Sequence, residues 1–264
     1  MRLALVQMGC HPGDREGNLA AAAELLRREA DGATLACLPE TVDVGYDLAT
    51  LGADLVELAE PVPGPTSDAV GRLAADLDMA LVAGVLERDP HLPEVLYDSA
   101  VLVERDGRLV GRYRKTHLYP DEHRWFRSGG ELPVFELAGW RVGIAICFEH
   151  AFPEIFSTLA RRGAQLVLNP SAVPLGYGYL PDLRCRARAQ DNQMFVATVN
   201  HVGAEGAARY GGGSLVADPR GEVLAAAGAD GPAVVVAELD PGRIRSERVQ
   251  EPVFRARRPE LYEP

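Results

Sequence analysis

Long apolar runs are missing from this chain of 264 residues. No stretch approaches the roughly 20 residues that a membrane-spanning helix needs. Residues 1–8 form only a short strand-like run, cut off at once by Gly9, His11 and Pro12, and lack the charged-then-apolar pattern of a secretion signal. The expectation is a cytoplasmic protein with no membrane partner. An excess of positive charge is missing too. The formal charge is −11, the wrong sign for nucleic acid or an anionic membrane as main partner. Cysteine is scarce: Cys10, Cys37, Cys147 and Cys185 are scattered with no CxxC pair, which excludes a disulfide-dense scaffold and a closely spaced metal cluster. The glycines at 211–213 lack the Gly-Lys-Ser/Thr ending of a phosphate loop, and neither a Gly-x-Ser-x-Gly elbow nor a zinc helix motif is present.

What the chain does have is core material, with 47% hydrophobic residues. Apolar runs at 3–8, 34–38, 79–85, 96–103, 142–147, 165–168, 195–199, 214–217 and 233–239 read as strands. Several are apolar throughout, as strands covered on both faces must be. Between them, Val70, Leu73, Ala74 and Leu77 follow a helical stripe, and Phe152, Ile155, Phe156 and Leu159 repeat it behind Pro153. Further helices are predicted over 15–30 and 182–192. The proline-rich stretch 61–65 is too short for a linker and reads as a turn before a helix. The chain reads as a single α/β domain over 1–264, with 242–264 as an extended tail.

Three positions draw attention, two at the end of an apolar strand and the third beyond the run 96–103 and an Asp106-Gly107 turn. Cys147 closes the run 142–147, followed by the turn Phe148-Glu149-His150-Ala151 and a helix near Pro153. A side chain at such a corner is held rigidly at the sheet edge, and the Phe148 N–H can point at a developing oxyanion. Taken by itself, Cys147 is equally a buried structural thiol. Glu40 follows Pro39, which ends the run 34–38 and presents the carboxylate at a sheet edge; otherwise it is a loop-surface glutamate. Lys115 lies in Tyr113-Arg114-Lys115-Thr116-His117-Leu118. It belongs either to a solvated basic ribbon or to a site interior, where it would lower a thiol pKa and hold an oxyanion.

Taken together these motifs resemble the Glu–Lys–Cys triad of the nitrilase superfamily: Leu38-Pro39-Glu40, then Tyr113-Arg114-Lys115, then Ile146-Cys147-Phe148-Glu149-His150. Arg186-Ala187-Arg188-Ala189 with Val199-Asn200-His201, and Gly212-Gly213-Ser214 with Asp218-Pro219-Arg220-Gly221, are similar to later stretches of the family, so the likeness runs from about residue 2 to 240. Glu122, with Phe126 and Gly129, matches the spacing of the family's second glutamate. Ser128 stands where proline is usual, and Glu149 where many amidase-like members have aspartate.

The resemblance implies a four-layer α-β-β-α sandwich, a homodimer whose C-terminal tail crosses the interface, and no metal or organic cofactor. It implies hydrolysis of a non-peptide C–N bond. Glu40 would be the base, Cys147 the nucleophile, Lys115 with the Phe148 N–H the oxyanion site, and Glu122 a supporting acid. Glu149 and Tyr177 are expected beside the substrate, while Arg184 and Arg186 read either as salt-bridge partners or as contacts for a substrate carboxylate. The expected substrate is a small aliphatic or carboxylate-bearing amide, with an N-carbamoyl amine second and a nitrile third. Two readings compete: a Cys–His hydrolase pairing Cys147 with His117, His150 or His201, and a catalytically degenerate interaction subunit.

Overall fold

Residues 1–262 are described by the computed structural model. Strands β1 (Arg2–Gln7), β2 (Leu35–Cys37), β3 (Ala80–Arg88), β4 (Leu96–Val103) and β5 (Leu109–Arg114) build one sheet; β6 (Val134–Leu137), β7 (Trp140–Ile144), β8 (Leu166–Ser171) and β9 (Phe195–Asn200) begin another. β10 (Val202–Glu205) and β11 (Ala208–Gly211) form a separate hairpin. β12 (Leu215–Ala217) and β13 (Val223–Ala226) complete the second sheet, and β14 (Ala233–Glu238) returns to the first. The orders are β14-β1-β2-β3-β4-β5 and β13-β12-β9-β8-β7-β6.

The centre of each sheet is parallel: β1, β2 and β3 in one, β7, β8 and β9 in the other. Parallel strands need cover on both faces, and three apolar layers provide it. Leu3, Leu5 and Val82 face Ile144, Leu168 and Phe195 between the sheets. The alternate residues Ala4, Val6 and Leu81 point the other way, onto Leu26 and Val70 of helices Arg15–Glu29 and Pro65–Leu77. On the far side Val167 and Val196 meet Phe156, Leu159 and Ala189 of helices Pro153–Arg161 and Leu180–Asn192. The period-two alternation of a strand thus yields the α-β-β-α sandwich.

Three expectations change in detail. The strand predicted to reach Cys147 ends at Ile144, and Cys147–Ala151 is a 3₁₀ turn. The cause is local: the Glu149 carboxylate accepts the Ile146 N–H at 2.6 Å, so the chain peels away from its neighbour. The basic run before Lys115 is the strand β5, with Tyr113 buried beneath it. The tail expected to be extended from 242 instead starts in a helix, Pro241–Gln250, capped by Asp240 accepting the Gly242 N–H and burying Ile244. An Asp-Pro start is a helix signal, but the arginine-rich segment beyond it has no apolar stripe to mark a helix.

One close approach fixes the first sheet edge. Gly84 on β3 donates its N–H to Pro39 O at 3.1 Å and accepts the Val42 N–H at 3.0 Å. The corner after β2 therefore lies directly on β3, and a Cβ at Gly84 would sit 2.4 Å from Pro39 O and 2.6 Å from Glu40 Cα. Gly84→Ala is expected to cost about 1–3 kcal/mol of stability through overpacking, read as a lower urea midpoint in equilibrium unfolding. An unchanged midpoint would show slack in this corner.

Candidate active site

Glu40 and Cys147 sit on two corners of the same kind. Each follows a parallel central strand, and each corner contains a residue with a side chain in the left-handed region: Thr41 at φ 42° and Cys147 itself at φ 44°. Such backbone costs on the order of 1–3 kcal/mol and persists only where its surroundings enforce it. Thr41 Oγ1 bonds Gly45 O at 3.1 Å. Behind Cys147, Asn169 Nδ2 donates to Ala145 O at 2.5 Å and to Cys147 O at 3.4 Å.

Lys115 leaves the end of β5, its N–H bonded to Asp98 O and its carbonyl to the Gly129 N–H, both at 2.8 Å. Its Nζ donates to Glu40 Oε1 at 2.5 Å, Glu122 Oε1 at 2.6 Å and Asp98 Oδ2 at 2.9 Å. An ammonium has three protons, so all are used. All four side chains are fully buried. Glu122 also accepts the Tyr119 N–H at 2.7 Å and the Tyr46 hydroxyl. Glu40 Oε2 and Asp98 Oδ1 have no partner among the described residues. The three carboxylates lie close enough together to hold a metal ion, but the Lys115 ammonium contacts all of them and fills that place.

Three acids around one base leave an excess of negative charge away from water, which favours keeping a proton. Burial raises the Glu40 pKa well above the usual carboxylate range; Lys115 opposes the rise, and Asp98 and Glu122 add to it. Burial likewise raises Glu122 against the pull of Lys115. For Lys115 burial disfavours the charge, yet Asp98, Glu40 and Glu122 hold it firmly protonated. The Cys147 thiol is pushed up by burial and then by Glu40, with Lys115 and the Ala172 N–H acting the other way. A thiol in this position ionises only if a neighbouring carboxylate takes its proton, and acid groups perturbed in this way are those able to exchange one.

Cys147 opens onto a cavity of about 230 Å³ whose walls include Tyr46, Phe148, His150, Tyr177 and Arg184. Phe148, in the first turn of the 3₁₀ segment where N–H groups lack helical acceptors, packs edge-on against Tyr119 and Phe152 at 5.3 Å each. Tyr177 is half exposed at the rim. Glu149, expected beside the substrate, is elsewhere. It is fully buried, and its two oxygens accept the Tyr113 hydroxyl, the Thr116 N–H and hydroxyl, and the Ile146 N–H. It braces the turn that holds Cys147.

The histidines do not form a pair with the sulfur. His117 is a half-exposed side chain against Phe152 and Glu149. His201 is fully buried against Glu205 and the Glu40 carbonyl. His150 does line the cavity, but burial and then Arg184 and Arg188 push its pKa down to about 3, which makes it a poor acceptor for a thiol proton. Arg186 takes the salt-bridge alternative, facing Asp182 and bonding Gly221 O.

Sequence reasoning missed Asp98, Tyr46 and the anchoring role of Asn169. Asp98 did leave a signal, as the one charged residue inside the apolar run 96–103, where an acid needs a buried partner. Tyr46 and Asn169 left none, because nothing local marks a loop tyrosine or a strand asparagine as part of a remote cluster.

The family model for carbon-nitrogen hydrolases matches residues 2–249. A nitrilase from Pyrococcus abyssi is 34% identical, with 99% of each chain covered. An (R)-stereoselective amidase from a Pseudomonas species is 35% identical over 94% of this chain and 88% of its own, and the omega-amidase of Homo sapiens is 32% identical over 99% and 96%. Among solved structures, an amidase from Nesterenkonia sp. AN1 superposes with a TM-score of 0.86 at 30% identity, covering 99% of this chain and 95% of that one; it is a glutamate-to-glutamine variant with the acetamide moiety of fluoroacetamide covalently added at its active-site cysteine. The strained cysteine corner and the buried acid–lysine cluster thus sit in a chain that aligns with these relatives nearly end to end, and the protein belongs to the carbon-nitrogen hydrolase family of the nitrilase superfamily.

Proposed function

We propose that this protein is an amidase that hydrolyses short carboxylate-bearing amides through a thioester on Cys147. The reaction class rests on one observation: Cys147 opens onto a cavity shared with Tyr46, whose hydroxyl bonds Glu122 of the cluster that joins Lys115 and Glu40. The unpartnered Glu40 Oε2 takes the thiol proton as the sulfur attacks the amide carbon. As Glu40 gains that proton, its hold on Lys115 weakens, and a freed Lys115 N–H turns with the Phe148 N–H toward the oxyanion. The intermediate collapses, Glu40 returns the proton to the departing nitrogen, and ammonia leaves. Glu40 then deprotonates a water that attacks the thioester, releasing the acid and restoring the thiol. Glu122 keeps Lys115 and Tyr46 in place throughout. The acetamide adduct on the cysteine of the Nesterenkonia amidase supports the same covalent course here.

Arg184 supports the substrate class. Among the described residues it is the only permanently charged side chain on the cavity wall. Its neighbours Arg186 and Arg188 are matched by Asp182 and Asp191, whereas no ion pair or hydrogen bond engages the Arg184 side chain among the described residues. Beside it, His150 Nδ1 is buried without a partner. A free guanidinium and a neutral imidazole make a receptive wall for a carboxylate. At roughly 30 Å³ per water, the cavity volume suits a molecule of about eight non-hydrogen atoms, the size of a monoamide of a four- or five-carbon dicarboxylic acid.

Ammonia release should be measured on a panel of primary amides, N-carbamoyl amines and nitriles. Amide turnover that vanishes in Cys147→Ala is expected, with a loss of about 10²–10³ in kcat or more for Lys115→Ala, the scale for one oxyanion donor. Carbon dioxide released alongside ammonia would favour a carbamoyl substrate, and a response to nitriles alone would overturn the amidase reading.

For Arg184→Met, kcat/KM on glutaramate should fall about 10- to 100-fold, the worth of a charged hydrogen bond, while butyramide turnover stays nearly constant. Equal effects on both substrates would remove Arg184 as the carboxylate site.

Acidity gives a further check. Glu40 must be ionised to act, and its pKa is raised, so the acid limb of kcat/KM should lie above the ordinary glutamate value of about 4.3. Asp98 is one cause of that rise, so Asp98→Asn should move the limb to lower pH. A limb that stays put, or moves up, would contradict the assigned coupling.

A further inference from the structure

A second buried cluster adjoins the first through the backbone of Glu40 and Tyr46, and none of its residues lines the cavity. Cys10, His201 and Glu205 bring their ligand atoms within 4.8 Å of one another, all buried. The cluster is tightly committed. Glu205 Oε1 accepts the Cys10 N–H at 3.0 Å and pairs with His201 Nδ1; Glu205 Oε2 accepts the Tyr46 N–H at 3.0 Å. His201 Nε2 lies 2.6 Å from the backbone oxygen of Glu40.

The chemistry of the partners fixes the protons. A carbonyl oxygen only accepts, so Nε2 carries a hydrogen; a carboxylate only accepts, so Nδ1 carries one as well. His201 is therefore an imidazolium in an ion pair with Glu205. Burial opposes that charge, yet Glu205 and Cys10 keep the His201 pKa well above the usual imidazole value. Glu205 stays below the ordinary glutamate range although burial acts the other way.

We infer that the His201–Glu205 pair is a positioning device for the acid cluster, fastening the corner after β2 to the second sheet. It grips that corner at two points, the Glu40 carbonyl and the Tyr46 N–H, and those are the residues whose side chains meet Lys115 and Glu122. The grip crosses from one sheet to the other, since His201 follows β9 and pairs with Met8, just past β1. Thr41, between the two points, is the residue held at positive φ. His201 touches neither the cavity nor the sulfur, so its effect reaches the reaction only through the placement of Glu40 and Tyr46.

This inference rests on Glu40 being the proton carrier. Wild-type enzyme and Cys147→Ala are therefore assayed first, and absence of amide turnover in the wild type, or survival of turnover in Cys147→Ala, marks failure of that reading rather than of this one. Given a working wild type, His201→Leu keeps the bulk and removes both donors. A misplaced acid of about an ångström costs on the order of 10²-fold, so kcat per folded enzyme should fall about 10- to 100-fold, with KM within about twofold. Alkylation of Cys147 by chloroacetamide should slow in step. His201→Gln, which can still donate one N–H to the Glu40 carbonyl, should recover most of the lost kcat. A merely structural role would lower the melting temperature and leave kcat per folded molecule unchanged, and that result overturns the inference; so does equal impairment in His201→Leu and His201→Gln. Should His201→Leu fail to fold, Glu205→Met decides. It keeps the length of the side chain and removes the acceptors of the Tyr46 N–H and of His201 Nδ1, so the same kcat loss at constant KM is expected, and wild-type kcat would refute the positioning role.

Discussion

Everything at the sheet edge is arranged around one ammonium that has no access to water. Lys115 is fully buried and commits its three protons to Glu40, Asp98 and Glu122. Each carboxylate arrives from a different element: the corner after β2, the middle of β4, and the 3₁₀ turn Pro120–Arg124. Burying such a group costs several kcal/mol per ion before any attraction is counted, so the cluster is a weak source of stability. Its value lies in position. Removing Lys115 would leave three carboxylates in the interior with no cation among them, and the remaining groups must then rearrange.

The sandwich explains why the cluster meets a sulfur. Two sheets with parallel centres each end their central strands in a corner, and packing the sheets through Leu3, Leu5, Ile144 and Leu168 brings those corners together. Both corners carry left-handed residues, and both are clamped by hydrogen bonds. Gly84 and His201 hold the first, and Asn169 and Glu149 hold the second. Strain at Cys147 persists because hydrogen bonds on either side of it leave the chain no other path.

The sequence carried the frame of this arrangement and only part of its interior. Strands announced themselves as apolar runs because parallel sheets covered on both sides need them, and the helices Pro65–Leu77 and Pro153–Arg161, one over each sheet, did so through regular stripes. Glu40, Lys115 and Cys147 were recognisable as corner residues, but on local grounds each had an equally ordinary reading; only their order as a set, through the family resemblance, joined them. Residues that act through distant contacts were less legible. Tyr46 reaches Glu122 across 76 positions and His201 reaches Glu40 across 161, and no short-range pattern encodes either. Glu149 misled for the opposite reason: adjacency to Cys147 in the chain placed it near the cavity, whereas its hydrogen bonds turn it inward.

The charges around Cys147 also impose a direction. On one side of the sulfur, three acids and one ammonium leave the interior negative; on the cavity side, Arg184 has no ion-pair partner among the described residues and His150 is kept neutral by burial and the cations near it. An anionic amide entering this field has one favourable orientation. Its carboxylate is repelled by the acid cluster and drawn to Arg184, which leaves the amide carbon facing the sulfur. Reversing the substrate would place a carboxylate against Glu40 in a site with little water to screen it. Under the proposed reading, the excess of acids that raises the Glu40 pKa therefore also orients the substrate. A neutral amide of the same length would gain nothing from that field and would have to be aligned by shape alone.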